Sequence, residues 1–337
     1  MDLTASGANQ TAFHEQAAFT TRNLFARRVF VRAVVEASNY CRENCHYCGM
    51  RRDNRDLSRR RADFEELAET LVHHRPAAVT DINIQTGEDP VAVREVVLPL
   101  IQILRRETHL GISVCLGTHE YSIYRELKAA GASIYIMKFE TADAVDYRQK
   151  QAPGSLSERV EHIRGLAAQG WHVSSGFIAG LPGQDVSHLL KNFRLANELP
   201  LSGCSVSPFV PGSETPLAEA QPSDLETALN CMAALRLMRP EWIIPAVSAL
   251  NLAPGGNGDG YRRGLRTGAN LVTINMTPRP LQKDYPIYKR NRFIMDEARV
   301  MEALEAENLA PSEESLAEFY LRNAAESTIR PEVVVNS

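Results

Sequence analysis

The sequence lacks the features that would point to a membrane, a secretory route or a nucleic acid. No stretch of the 337 residues approaches the ~20 consecutive apolar residues that a membrane helix needs. Lys and Arg (37) nearly balance Asp and Glu (41), giving a net charge of −4, so neither a nucleic-acid nor a membrane partner is favoured. The polar segment 1–16 has no apolar core of the kind that a signal peptide carries. We therefore expect a cytoplasmic protein.

Cysteine is also scarce, yet half of the six cysteines, Cys41, Cys45 and Cys48, lie within eight residues. Cys115, Cys204 and Cys231 are isolated, and we interpret them as buried small apolar residues. Thiolates are soft ligands that favour iron–sulfur clusters, zinc or copper(I). Common zinc modules use four ligands in two separated pairs, and no second pair follows in this chain. Three thiolates would leave one iron of a four-iron cluster open to a further ligand.

Short apolar segments alternate with helix-like segments along most of the chain. This alternation predicts a parallel sheet with right-handed crossovers, and eight such segments favour an α/β barrel over an open sheet. The predicted strands are 29–35, 81–85, 112–116, 134–139, 173–179, 205–209, 243–247 and 271–274.

The barrel is expected to span 29–295. Residues 1–28 would form a short N-terminal extension, and residues 296–337 a C-terminal helical extension and tail. In a barrel of this kind the active site lies where strands end and loops begin. The clustered cysteines follow the first predicted strand, and other polar candidates also follow strands, which predicts one site at one face.

The spacing CxxxCxxC, with the aromatic Tyr47 before the last cysteine, resembles the signature of the radical S-adenosylmethionine (radical SAM) superfamily. In that superfamily a reduced cluster gives an electron to S-adenosylmethionine, and a carbon–sulfur bond breaks homolytically. Tyr47 is then expected near the adenine. Gly87 would allow close backbone approach, and Glu88 would accept hydrogen bonds from an ammonium. Taken alone, the Gly87–Glu88 segment also reads as an ordinary strand-end turn.

Two further residues are candidates for binding this cofactor. Glu140, at the end of the fourth predicted strand, would bind a ribose hydroxyl or the amino group. Arg159, early in the next helix, would pair with the methionine carboxylate. A surface arginine is the alternative interpretation of Arg159.

Several motifs together resemble the biotin synthase group, and most of all its subgroup with the iron-iron hydrogenase maturase (HydE) and 3-methylornithine synthase (PylB). These motifs lie at 38–54, 87–90, 140–142, 180–184, 208–217 and 268–270. The resemblance implies a TIM-type (β/α)8 barrel, one 4Fe-4S cluster and a 5′-deoxyadenosyl radical. It also implies that the three clustered cysteines bind the cluster, and that Glu88, Glu140 and Arg159 bind the cofactor.

The resemblance places substrate contacts at Ser248, Thr277 and Tyr285. With Arg51, Arg52 and Lys138 they would form a polar and cationic set at the mouth of the barrel. The set predicts a small substrate that carries amino or carboxylate groups. The basic run 51–61, directly after Cys48, is either a solvated segment or a binding site for an anionic group. An electron donor such as a flavodoxin or ferredoxin is also expected.

The sequence departs from the subgroup on this face. Lys138-Phe139-Glu140-Thr141 stands where the subgroup usually has Arg-His-Glu-Thr, and Gly117 and Glu120 replace an adjacent Gly-Glu pair. Cysteines for a second cluster are missing, so sulfur insertion is not expected. A maturase-like role, an amino-acid mutase and another biosynthetic radical enzyme remain open, with a non-catalytic iron–sulfur carrier as the alternative of another class.

Overall fold

The computed structural model describes residues 2–256, 258–288 and 293–329 of the chain. The last part of the expected C-terminal extension, 330–337, lies outside the described residues. The strands are β1 (Arg28–Ser38), β2 (Asp81–Thr86), β3 (Gly111–Cys115), β4 (Ile134–Ile136), β5 (His172–Ala179), β6 (Gly203–Pro208), β7 (Leu271–Asn275) and β8 (Ala310–Pro311). They pair in parallel in the order β6-β5-β4-β3-β2-β1-β7, and the short β8 pairs with the start of β1. The expected α/β barrel class is confirmed.

Helices alternate with these strands. They are α1 (Gly7–Phe25), α2 (Phe64–His73), α3 (Pro90–Ala92), α4 (Leu98–Glu107), α5 (Tyr121–Ala130), α6 (Ala144–Gln149), α7 (Leu156–Ala168), α8 (Val186–Glu198), α9 (Leu225–Met238), α10 (Gly260–Arg266), α11 (Arg279–Gln282), α12 (Glu297–Ala306) and α13 (Leu316–Ile329). A π-helical turn, Val93–Val97, joins α3 to α4. None of the helices in the described part of the chain is both long and apolar enough to cross a membrane.

Side chains of β1 alternate between the helical layer outside the barrel and the interior of the barrel. Val31 and Val35 belong to the main apolar core, together with Leu67 of α2. The alternate residues Arg32 and Glu36 instead line a cavity inside the barrel. Successive side chains of a strand point to opposite faces, so the outer face of β1 packs on helices and its inner face is polar.

The predicted strand 243–247 is not a regular strand. It makes only isolated parallel bridges, between Ile243 and Gly203 of β6 and between Pro245 and Leu271 of β7. Proline lacks the backbone N–H that a continuous ladder would need, which explains the interruption. The segment nevertheless bridges the two edge strands of the sheet, β6 and β7, as the remaining strand of a closed barrel would.

The helix α1 was not predicted from the sequence. Only Ala17, Ala18 and Phe25 of its side chains are buried, so it has no strong apolar stripe that would reveal it. The segment before α1 is fixed by Asn230 of α9, whose amide donates to the carbonyl oxygens of Leu3 and Ala5 at 3.1 and 3.0 Å. The expected N-terminal extension therefore contacts the outside of the barrel.

The C-terminal helix α13 covers the end of the barrel opposite the cysteines. Leu316, Phe319 and Tyr320 form an apolar cluster with residues near the starts of strands, including Phe30 and Leu271. The buried Asp81 carboxylate caps α13, because it accepts the Leu316 amide at 3.0 and 3.1 Å. This closed end leaves the carboxyl ends of the strands as the open face.

Burial raises the pKa of Asp81 from its ordinary 3.8 to about 6, which gives a pH-dependent stability. The folded state binds the carboxyl proton of Asp81 more tightly than the unfolded state does. The resulting stabilisation of the fold is complete below the unfolded-state pKa and is lost as pH rises through 6. We expect Asp81→Asn to flatten this dependence. Thermal unfolding at pH 5 and pH 7 should show the wild type gaining about 1 kcal/mol relative to the variant at the lower pH. Parallel pH profiles would contradict this role.

Candidate active site

The three clustered cysteines lie on the loop that follows β1, residues 39–61, which we call the cysteine loop. A tight turn brings the Cys48 amide to the Cys45 carbonyl oxygen at 3.2 Å. At the next strand end, the Glu88 amide donates to the Cys41 sulfur at 3.4 Å. The cysteine loop and the end of β2 therefore form one connected unit.

Burial raises the pKa of all three thiols, that of Cys48 to about 12. Their mutual proximity adds to the effect, because a thiolate at Cys41 disfavours a second charge at Cys45 or Cys48. Three neighbouring thiolates need a cationic partner, and iron ions would provide one. The chemistry of this donor set fits an iron–sulfur cluster.

Arg59 holds the cysteine loop in shape, a role that the sequence did not reveal. Its guanidinium donates to the carbonyl oxygens of Asn39, Met50 and Arg51 at 2.6, 2.8 and 2.6 Å. It belongs to the basic run after Cys48, for which a solvated role and anion binding were the two predicted alternatives. At least one arginine of that run instead satisfies backbone carbonyls.

A buried ion pair lies beside the cysteine loop. The Glu88 carboxylate meets Arg159 Nη2 of α7 at 2.9 Å, and the side chains are only 6% and 3% exposed. Arg42 of the cysteine loop approaches the other carboxylate oxygen at 3.3 Å and donates to the Thr118 carbonyl oxygen at 2.7 Å. Glu88 thereby joins the cysteine loop, the end of β3 and α7.

Arg159 retains a binding capacity that its protein contacts do not use. Burial opposes the charge of Arg159, but Glu88 and Tyr147 together outweigh it and raise the pKa of the guanidinium. Arg159 Nε is buried, and within the described residues it has no hydrogen-bond partner. Such an orphaned donor is costly unless an acceptor satisfies it. A carboxylate of a bound cofactor fits this position.

Glu140 lies in the segment that follows β4 and has an unusual backbone conformation. Its φ is +61°, a left-handed conformation that non-glycine residues adopt rarely. The amides of Phe139 and Glu140 both donate to the Gly176 carbonyl oxygen at 3.1 Å. Burial raises the pKa of Glu140, while Lys138 and Arg159 act in the opposite direction. The field of Glu140 reaches Cys45 and Cys48, so it belongs to the same site.

Two glycines allow this site to assemble. A Cβ at Gly87 would lie 2.2 Å from the Tyr40 carbonyl oxygen, so Gly87 lets β2 pack against the cysteine loop. A Cβ at Gly117, where φ is +79°, would lie 2.0 Å from Cγ of Glu88. Both positions require glycine because other parts of the protein pack directly against its backbone.

Tyr47 contacts a small apolar cluster formed by Ile178, Leu181 and Phe209. Its hydroxyl is buried beside the Cys45 thiol, so Tyr47 contacts both the cluster-binding cysteines and this apolar surface. The adjacent strand ends β5 and β6 supply the apolar surface that an aromatic group needs.

A cavity of about 200 Å³ occupies the interior of the barrel. Side chains from most strands line it, and many of them are polar: Arg32, Glu36, Asn83, Gln85, Cys115, Lys138, Ser174, Ser205, Ser207, Ser248, Thr273 and Asn275. The structure therefore brings two of the predicted substrate residues, Lys138 and Ser248, to one cavity. Lys138 interacts electrostatically with Glu140, which links this cavity to the residues predicted to bind the cofactor.

The other predicted substrate residues lie outside this lining. Thr277 is buried and accepts the Glu36 amide at 3.0 Å, so it supports the wall from behind. Tyr285 is also buried. Arg51 donates to Asn44 within the cysteine loop, and Arg52 lies on the outer side of the loop beside a second, open cavity of about 780 Å³.

Comparison with known proteins agrees with this geometry. A sequence profile of the radical SAM superfamily matches residues 35–196, which include the cysteine loop, Glu88, Glu140 and Arg159. The [FeFe] hydrogenase maturase subunit HydE of Thermotoga maritima is 33% identical over 270 residues, covering 79% of this chain and 76% of the relative. The 3-methylornithine synthase of Methanosarcina barkeri is 28% identical over 256 residues, covering 75% and 71%.

A solved structure shares the fold. The crystal structure of methylornithine synthase (PylB) superposes with a TM-score of 0.81 at 24% identity, over 97% of this chain and 94% of that one. Together with the cysteine loop, these similarities show that the chain belongs to the radical SAM superfamily. It is a radical SAM enzyme related to HydE and PylB, and its cofactors are a 4Fe-4S cluster and S-adenosylmethionine. The expected enzyme class and cofactors are confirmed.

Proposed function

We propose that this enzyme cleaves S-adenosylmethionine reductively and directs the resulting radical to a small amino-acid-like substrate, in the manner of a hydrogenase maturase. The supporting observation is the convergence of the cysteine loop, the Glu88–Arg159 pair and Glu140 at the open end of a polar barrel cavity. When bound, the cluster and S-adenosylmethionine would supply a 5′-deoxyadenosyl radical.

Each residue of this set has a definite task in the proposal. Cys41, Cys45 and Cys48 hold the cluster as thiolates. Arg159 binds the methionine carboxylate through donors that include its orphaned Nε, and Glu88 accepts the methionine ammonium. Because these two side chains now bind each other, cofactor binding exchanges one buried ion pair for two ion pairs with the cofactor.

Glu140 and Tyr47 complete the cofactor site. Glu140 accepts a ribose hydroxyl or the amino group, and its strained backbone fixes the carboxylate beside the cysteines. Tyr47 and its apolar cluster receive the adenine, while Gly87 holds the cysteine loop against β2. These contacts come from several strand ends, as expected for a site at the carboxyl end of a barrel.

The substrate proposal draws on the cavity and on the relatives. The cavity is smaller than the pockets of roughly 300–1,000 Å³ that hold drug-sized ligands, which favours a molecule of amino-acid size. The maturase-like role is favoured by the 33% identity to HydE, and a methylornithine-synthase-like mutase by the fold shared with PylB. A low-potential donor such as a flavodoxin or ferredoxin would supply the electron that reduces the cluster.

The proposal predicts turnover that is detectable without knowing the pathway. Anaerobically reconstituted and reduced enzyme should form 5′-deoxyadenosine and methionine, and should transfer deuterium from a labelled small amino acid into 5′-deoxyadenosine. Mass spectrometry with deuterated cysteine and ornithine as the first panel measures this, and unreduced enzyme is the control. Absence of cleavage would favour an iron–sulfur carrier. Stimulation by macromolecules alone would contradict a small substrate.

A further inference from the structure

The cysteine loop carries a concentration of positive charge that the cofactor site does not use. The loop contains seven arginines and three acidic residues, a net charge of +4 in a chain whose total is −4. Arg59 and Arg61 bind groups within the protein, since Arg59 donates to backbone carbonyl oxygens and Arg61 pairs with a buried aspartate at 2.8 Å. Arg42 and Arg52 instead keep 50% and 61% of their side chains exposed. The outer surface of the loop is therefore cationic.

This exposed charge surrounds the open cavity of about 780 Å³ on the outer side of the cysteine loop. Arg42 and Arg52 line the cavity from the loop, and Arg148 lines it from α6. Arg148 is exposed and forms no ion pair within the part of the chain that the structure describes. Glu43, the one acidic side chain among the described lining residues, is engaged with the protein, because it accepts the Gly154 amide at 3.1 Å. The lining thus carries more positive than negative charge.

One wall of this cavity is the chain segment that joins two of the cluster-binding cysteines. All three residues between Cys41 and Cys45, at positions 42–44, line the cavity. Tyr147 of α6 also lines it and interacts electrostatically with Cys45. A protein bound in the cavity would therefore be separated from the cluster by a single layer of chain, which is a short path for an electron.

The rest of the lining suits a protein surface better than a free ion. Ala144, Ala152, Leu156 and Val160 supply apolar surface beside the arginines. Protein interfaces combine an apolar centre with a polar rim, and arginine is enriched in them. A flavin ring is apolar at its exposed edge, so an acidic flavoprotein would match both parts of the lining.

We propose that this arginine-lined cavity is the docking surface for a flavodoxin, an acidic protein that donates the electron used in the reductive cleavage. The inference rests on the proposed function and extends it from the cofactor to the partner. One electron passes from the anionic hydroquinone of the partner's flavin to the oxidised cluster, so the flavin loses one electron, the cluster gains one, and no proton is transferred. Complementary charges steer the encounter and fix its orientation. Arg52, which the sequence placed among the substrate residues, contacts this partner instead.

Calorimetry with purified flavodoxin and the cluster-loaded enzyme tests the surface directly. The affinity of the wild type should fall about 10-fold when salt is raised from about 0.05 to 0.3 M, because exposed charges are screened. Arg52→Glu/Arg148→Glu should weaken binding about 10-fold or more, and Arg52→Gln/Arg148→Gln about 3-fold. Stopped-flow reduction of the cluster by flavodoxin hydroquinone should slow in the same order.

Arg22→Glu/Arg106→Glu is the matched control, because it makes the same change of charge away from the cysteine loop. Arg22 lies in the last turn of α1, as Arg148 does in α6, and Arg106 pairs with the acidic residue that follows it, as Arg52 does. The control should bind flavodoxin within about 2-fold of the wild type. No binding to the wild type, unchanged binding in Arg52→Glu/Arg148→Glu, an equal loss in the control, or tighter binding of ferredoxin than of flavodoxin would each overturn the inference.

Reduction by dithionite separates the docking surface from the chemistry. Dithionite needs no docked protein, so dithionite-driven formation of 5′-deoxyadenosine should be equal in the wild type and all of these variants. If Arg52→Glu/Arg148→Glu lost this activity as well, the arginines would act in the reaction itself and the inference would be overturned. Absence of dithionite-driven cleavage in the wild type would contradict the proposed function, so the two failures are distinguishable.

Discussion

Replacing Cys41, Cys45 and Cys48 together with alanine is expected to remove the iron–sulfur cluster and abolish cleavage of S-adenosylmethionine. The wild type, reconstituted anaerobically, should hold about four irons per chain, as one cluster requires. The variant should hold almost none, because the three thiolates supply the protein ligands at this site. Iron and sulfide analysis, the visible absorption of the cluster and 5′-deoxyadenosine formation measure the loss.

The isolated cysteines provide a matched control. Cys204 and Cys231 are fully buried in the apolar core, and burial raises the pKa of both thiols. The variant Cys204→Ala/Cys231→Ala should therefore retain the cluster and the cleavage activity, and should lose only about 1–2 kcal/mol of stability to the small cavities. Full iron retention in the triple variant would contradict the assignment, and so would about eight irons in the wild type.

The sequence predicted the part of the site whose residues lie close together along the chain. Three thiols within eight residues can be recognised by spacing alone, because the loop that carries them is short and its turns bring the sulfurs together. The strand-end positions of Glu88 and Glu140 followed from the alternation of apolar and helical segments. Their actual partners did not, since Glu88 and Arg159 are 71 residues apart and meet only in the folded barrel.

The errors in the fold have physical causes. The segment 243–247 is apolar enough to suggest a strand, but Pro245 breaks its ladder. Helix α1 has almost no apolar stripe, and two of its polar side chains, Gln10 and His14, contact Asn230 of α9. In both cases tertiary contacts decide the outcome more than local pattern does.

Three residues were not predicted from the sequence, although a signal existed for two of them. Arg32 and Glu36 alternate with valines and an alanine in β1, which is the pattern of a strand with one polar face. In a barrel this pattern marks an inward polar surface. Arg59 gave no comparable signal, because it is one of several arginines in a basic run and only the folded loop shows which carbonyls it binds.

The Glu88–Arg159 pair should be essential for both cofactor binding and stability. Glu88→Gln and Arg159→Met are each expected to weaken S-adenosylmethionine binding about 10- to 100-fold, because each removes a charge-assisted contact with the cofactor. Each also breaks a buried ion pair and leaves the other charge uncompensated, which typically costs about 3–5 kcal/mol. The cluster should remain, since neither side chain is a ligand.

The two single variants should differ in stability. After Arg159→Met, Glu88 still has Arg42 at 3.3 Å, whose side chain is half exposed. After Glu88→Gln, Arg159 has no other carboxylate within 4.0 Å among the described residues, although Glu140 still lowers the cost through its field. We therefore expect the free energy of unfolding to fall further in Glu88→Gln than in Arg159→Met.

The double variant Glu88→Gln/Arg159→Met separates the two roles. Removing both charges eliminates the uncompensated one, so chemical denaturation should show stability recovering toward that of the wild type. Equilibrium binding should show no such recovery, because the donors and acceptors for the methionine group are still missing. If cofactor affinity returned with stability, the pair would serve the fold alone. If stability fell by the sum of the single effects, the two charges would not be coupled as their 2.9 Å contact implies.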